Sequence, residues 1–337
     1  MRVSAVAVLV AVVLATGAAA LAQDEQPILL RYKWLPEQRL TWELASRVNG
    51  RISIVEGEGA GTTLDANTIV NMSIFCDVLG VEQDGSARVK MSFGAMSVVT
   101  TLPTGQTFNV LVDLAAGKLR IQGVEGAQPL EQDLPPPLGR FFSQGLTVLI
   151  TDRGKVTSVE GGEEHQALFA KMAGPQASVF NLADAISWIE PLLPEQPVKT
   201  GDTWSETRPF IFGATGPGGA PNPFVINYAH AGYTNIEGVR CVKINSNMSL
   251  SGVDFATPEP DAAQGLKQEF KEVSIQVNLS SNLSCEDTHV LSLDGQITQT
   301  GTVHQEGTVT FGDRQMPLNQ TYHMDRMQVS LQASRVP

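Results

Sequence analysis

The sequence is poor in the residue types that announce chemistry. Its 3 Cys in 337 residues are too few for a disulfide framework, so the core must come from apolar burial. There is no C-x-x-C pair and no Cys/His spacing suited to zinc. The five His (His165, His230, His289, His304 and His323) lie far apart and form no H-E-x-x-H. Nucleophile elbows of the G-x-S-x-G type and phosphate loops of the G-x-x-x-x-G-K-[ST] type are also missing. Basic residues are scarce: 23 Lys and Arg stand against 35 Asp and Glu, for a net charge of -12. A chain so acidic, with no basic cluster, is a poor partner for nucleic acid or an anionic membrane surface. Beyond the first two dozen residues no apolar run approaches the roughly 20 residues that a membrane helix needs. These absences argue against an enzyme, a metal site or a bound cofactor.

What is present begins with an export signal. Met1-Arg2 is a short basic start, Val3 to Ala20 is almost wholly apolar, and Ala20-Leu21-Ala22 offers an A-x-A cleavage site. The pattern predicts a signal peptide over 1–22, a mature chain without a transmembrane segment, and a periplasmic, cell-surface or extracellular location.

From Leu29 onward the dominant pattern is alternation. Leu40, Trp42 and Leu44 share one face, as do Val89, Met91 and Phe93, and likewise Val273, Ile275, Val277 and Leu279. A period of two with one apolar and one polar face marks half-buried antiparallel strands. Helical spacing occurs in one region. Leu168, Phe169 and Met172 follow Glu163-Glu164, and Val179, Leu182, Ala183, Ile186 and Ile189 form a stripe from about Ser178 to Glu190. The expected fold is therefore mainly β (α+β): an antiparallel curved sheet or half-barrels with two central helices. The expected parts are an N-terminal β-rich half (23–161), a helical insert and connector (162–204), and a C-terminal β-rich half (205–337).

One turn grammar recurs in "FNVLVDLAAGKLRIQG", "LTVLITDRGKVTSVEGG" and "THVLSLDGQITQTG". In each, an alternating strand runs into Asp113, Asp152 or Asp294, with Gly117, Gly154 or Gly295 placed to supply a positive φ. This predicts three hairpins, with Asp294-Gly295 as the strongest signal. Calcium binding by these Asp residues would require a denser set of oxygen ligands than any of the three loops carries. "GVEQDGSARVKMSFGAMSV" (80–98) also aligns with "NIEGVRCVKINSNMSLSGV" (235–253), which raises an internal duplication. Cys241 and Cys285 both fall on strands of the C-terminal half and are expected to bridge, leaving Cys76 free.

"LRYKWLPEQRLTWEL", "DRGKVTSVEG" and "LPEQPVKTGDTW" together resemble an uncharacterised family of secreted bacterial β-rich proteins. Glu37 stands where that family's Pro-Gly turn would carry Gly. The architecture is also similar to lipoprotein-carrier (LolA-like) half-barrels. The resemblance implies no activity.

Two functions fit. One is an exported non-enzymatic protein that binds an apolar, lipid-like ligand or a protein segment between sheet and helices. Leu168, Phe169, Met172, Val179, Leu182, Ile186 and Ile189 would then form a lid. The other is a structural or adhesive β-sandwich module of the cell surface. Asp202 and Trp204 of "GDTW" suit either a ligand contact or a turn with a core Trp.

Overall fold

The computed structural model describes residues 26–56, 62–101, 105–113, 116–122, 129–134, 136, 139, 142, 144–161, 190–209, 223–256, 267–311 and 314–336. In the N-terminal half the strands are β1 (Arg39–Glu56), β2 (Thr62–Val81), β3 (Ala87–Thr101), β4 (Thr107–Asp113), β5 (Lys118–Gln122), β6 (Leu130–Asp133), β7 (Leu146–Ile150) and β8 (Val156–Glu160). The C-terminal half adds β9 (Thr203–Pro209), β10 (Pro223–Ile236), β11 (Val239–Ala256), β12 (Lys267–Ser284), β13 (Val290–Phe311) and β14 (Arg314–Val336). All belong to one sheet, ordered β6-β5-β4-β3-β2-β1-β14-β13-β12-β11-β10-β9, with β7 and β8 branching from β3. The first and last of these strands, β1 and β14, pair antiparallel near the middle of the sheet.

β3 serves two neighbours. Its first half, Ala87 to Met91, pairs with β7, and its second half, Met96 to Thr101, pairs with β4. The branch is tight. A Cβ on Gly145, which has φ +65°, would lie 2.4 Å from the Met91 carbonyl oxygen.

This architecture corrects the expected mixed fold. The described residues form a single large antiparallel sheet in place of half-barrels, and no central helix pair belongs to it. Among the described residues alternation of period two prevails, and strands patterned in that way pair edge to edge into one sheet. Residues 162–189, which carried both expected helices, lie outside the described residues. Glu190, expected to end the second helix, sits instead in a bend.

The turn grammar is read correctly twice. Gly117 and Gly154 take φ +63° and +86°, closing β4–β5 and β7–β8. Asp113 caps the first turn through the Ala116 N–H (2.9 Å). In the second turn the bonding role passes to Thr151, whose Oγ1 accepts from Arg153 and Lys155. The third expected hairpin is not one. Asp294 and Gly295 lie inside β13, paired with Ser280 and Leu279. Gly295 is there because a neighbour needs its space: a Cβ would come within 2.2 Å of Leu279 Cδ2. In the turn that Pro36 leads, Glu37 adopts φ +64°, the conformation a glycine usually takes at that point.

Alternation explains the core. Along β3 and β7, residues 87, 89, 91, 146, 148 and 150 are buried while those between are not. Trp42, Ile74, Val242, Ile244, Val277 and Leu283 continue the same cluster across the sheet. Each such side chain contributes about 1.5–3 kcal/mol by leaving water. The segment before β1 lies across this end of the sheet and supplies Leu30, Tyr32 and Trp34. It is held by the Ile28–Val198 bridge and by the Tyr32 N–H, which donates to the Asp152 carbonyl (2.7 Å).

Candidate functional site

The face that carries the core continues beyond it. From the register, Leu44, Met72, Met96, Val112 and Leu119 form one row through β1 to β5. The next row holds Val70, Val98, Val110 and Ile121 through β2 to β5, all half-buried. On the opposite wing Ile297, Val277, Met248 and Ile226 form a row through β13 to β10. Val277, Met248 and Ile226 are buried. The reverse face of the same strands carries Asn245, Asn247, Gln276, Asn278 and Thr298. The sheet thus has one apolar face, closely covered over β10–β12 and half-open over β2–β5.

At the covered end lies a polar cluster that sequence reasoning missed. Glu190 is 6% exposed and His289 is fully buried. His289 Nδ1 lies 3.4 Å from Glu190 Oε1, and pairing with a carboxylate makes Nδ1 the donor. The imidazole stacks on Tyr32 and packs against Trp34 with ring centres 4.5 Å apart. Beside the pair, Arg208 bridges to Glu206 (2.5 Å), and the Tyr228 hydroxyl donates to Glu206. Glu190, Arg208, Tyr228, Ser246 and Ser281 border a cavity of about 20 Å³, enough for a single water.

This cluster is built to be held rather than to react. Burial, and then the Glu190 charge, push the Cys76 thiol and the Tyr32 phenol well above their ordinary values. Burial and Glu206 do the same to Tyr228. A nucleophilic cysteine needs the opposite shift and an approach route, and Cys76 has neither. Glu190 Oε2, His289 Nε2 and both ring nitrogens of the fully buried His230 have no protein partner among the described residues. The signal for this cluster was thin: one acid after a helical pattern, and two His set apart in sequence.

The remaining sequence candidates resolve as follows. Asp202 closes a turn by accepting from the Lys199 N–H (2.9 Å), and Trp204 stacks on Tyr228 while donating to the Leu192 carbonyl (2.7 Å). "GDTW" is therefore a turn with a core Trp. His304 and His323 face Thr321 and Thr302 in cross-strand hydrogen bonds. Cys76, Cys241 and Cys285 are free thiols. The strands of the latter two are neighbours, with Cys241 opposite Ser284, one position from Cys285. The lid candidates Leu168, Phe169, Met172, Val179, Leu182, Ile186 and Ile189 lie outside the described residues. Among the described residues no helix is long and apolar enough to cross a membrane, and none group as metal ligands.

A second, larger cavity lies beneath the segment before β1. It measures about 450 Å³ and is walled by Ile28, Leu30 and Val242, with Lys33, Arg240 and Thr288 at its polar side.

No family model matches the chain, and no curated protein matches it. Among solved structures it is similar to lipovitellin, in a study of lipid–protein interactions, with a TM-score of 0.38 and 11% identity. That match covers 88% of this chain and 25% of lipovitellin, so the chain spans a quarter of that protein's length. An outer membrane channel from Pseudomonas putida F1 matches with a TM-score of 0.21 and 6% identity, over 90% of this chain and 98% of the channel. A DUF1329 family protein from Desulfovibrio piger matches with a TM-score of 0.15 and 10% identity, over 87% and 83% of the two chains. At these scores the likenesses carry no argument about function.

Proposed function

We propose that this is an exported, non-enzymatic protein that binds a lipid-like ligand against the apolar face of its sheet. The observation that carries the reading is the extent of that face. Its apolar rows run across β1 to β5, and Val70, Val98, Val110 and Ile121 remain half-buried there, whereas β10 to β12 are closed. A soluble protein does not usually leave a contiguous apolar surface partly open unless something occupies it. Valine, methionine and isoleucine side chains on such a face suit a flexible acyl chain, which asks for contact area and no hydrogen bonds.

Export belongs to the same reading, with residues 1–22 as its signal. Exported protein should begin at Gln23 by mass spectrometry, and retention of residues 1–22 in a membrane fraction would contradict this.

The ligand reading is tested with the purified mature chain, stripped of lipid, and a fluorescent fatty-acid probe. Uptake by the wild type and its loss in Val98→Glu and Val110→Glu, with the near-UV circular dichroism unchanged, is the expected result. If the wild type takes up no probe and instead self-associates, the structural or adhesive module replaces the carrier.

A further inference from the structure

The cavity beneath the segment before β1 has a charge pattern that the chain as a whole does not share. The protein carries a net charge of -12, yet the described residues lining this cavity include three cations and no acid. The three cations are not equivalent. Arg31 is spent: its guanidinium donates to the carbonyls of Leu30, Pro194 and Glu195 and bridges to Asp152 (3.2 Å). Among the described residues Lys33 donates to the Glu286 carbonyl, which neutralises nothing. Arg240 lies over the Tyr233 ring with its Cζ 4.3 Å from the centroid, a contact made through the guanidinium face and not through its in-plane donors. Among the described residues neither Lys33 nor Arg240 has a carboxylate partner, although Arg335 nearby takes Asp287 (2.7 Å).

The other walls are apolar. Leu30 and Val242 are core residues, Ile28 packs against that core, and Leu29 is 55% exposed at the rim. Thr288 closes the polar side in a left-handed backbone conformation (φ +62°), unusual for a β-branched residue and concentrated at binding sites. At about 450 Å³ the cavity falls within the range of small-molecule sites.

We infer that this cavity is a head-group site for an anionic amphiphile, with Arg240 and Lys33 holding a carboxylate or phosphate and Ile28, Leu29, Leu30 and Val242 lining the start of its chain. The inference rests on the lipid-binding reading and adds to it a site for a charged head group on β11, apart from the half-open rows of β2–β5. Arg240 supplies planar paired donors and Lys33 a movable point charge.

Titration calorimetry on the lipid-free mature chain tests it with three probes: decanoate, decanol and acetate. Wild-type protein should prefer decanoate over decanol and bind acetate weakly. Arg240→Gln with Lys33→Gln should weaken decanoate roughly tenfold or more and leave decanol unchanged, while Arg240→Lys should recover part of the loss. Added salt should erode the decanoate preference alone. Equal binding of decanoate and decanol overturns the head-group assignment and leaves the lipid reading standing. Acetate binding as tightly as decanoate makes the cavity a simple anion site and also overturns it. Failure of both decanoate and decanol to bind brings down the lipid reading itself. The two cations are exposed or unpaired, so the variants should fold; an unchanged urea midpoint checks this.

Discussion

Gly154→Ala should destabilise the protein out of proportion to the size of one methyl group. Gly154 turns the chain between β7 and β8 at φ +86°, where any other L-residue pays roughly 1–2 kcal/mol. The added Cβ would also lie 2.6 Å from Tyr32 Cε2 and 3.2 Å from the Pro191 carbonyl oxygen. Tyr32 cannot swing away freely. It is 3% exposed, its hydroxyl donates to that same carbonyl (2.8 Å), and its ring stacks on His289. Displacing it disturbs the segment that covers the core, which adds about 1–3 kcal/mol by overpacking. Gly117 supplies the control: it closes the matching turn at φ +63°, with nothing within 4 Å of its Cβ. Gly117→Ala should therefore cost only the backbone component. Urea unfolding of both variants gives the difference, expected at about 1–3 kcal/mol in favour of Gly117→Ala. Equal losses would refute the claim that Tyr32 is pinned against this turn.

Three further outcomes follow from the same geometry. His289→Leu should cost about 3–5 kcal/mol because it strands the buried Glu190 carboxylate, while Glu190→Leu combined with His289→Leu should recover most of that loss in a double-mutant cycle; additive losses would mean that the two residues do not act as a pair. Burial raises the Asp287 carboxyl, but the Arg335 hydrogen bond and charge, with His289, outweigh it and leave the group below its ordinary value. Its contribution is therefore complete above the unfolded value near pH ~3.9 and fades as pH falls through the lower folded value, so Asp287→Asn should flatten the decline in urea midpoint between about pH 5 and pH 3, and an unaltered slope would contradict the Arg335 pairing. In reduced native protein iodoacetamide should modify Cys285, which is exposed, and spare the buried Cys76; in oxidised material we propose a Cys241–Cys285 bridge, and a linked peptide containing Cys76 or three free thiols would end that proposal.

The strands were legible because period-two alternation is a local signal: Val89, Met91 and Phe93, or Val273, Ile275 and Val277, announce their face without knowledge of their neighbours. Strand order was not. Nothing in β1 or β14 alone states that the first and last strands pair. The Asp294-Gly295 error has the same origin. A "DG" in an alternating run offers a turn, but here Leu279 of the adjacent strand needs the glycine's empty face. Local sequence cannot show a requirement imposed by the next strand. The Glu190–His289 pair and the cation-lined cavity were also out of reach. Glu190 and His289 are separated by 99 positions, and Lys33 precedes β1 while Arg240 lies at the start of β11. What the sequence does carry is the asymmetry on which the functional reading stands: along the long strands β3, β11 and β12, apolar residues on one face and polar ones such as Ser, Asn and Gln on the other.

Native mass spectrometry of the exported protein, purified without detergent from the cells that make it, tests that reading most directly. The account predicts a population heavier than the mature chain by the mass of a lipid, released as an anion on collisional activation and diminished in Val98→Glu. A bare mature mass in wild-type protein, with multimers as the only heavier species, would contradict it.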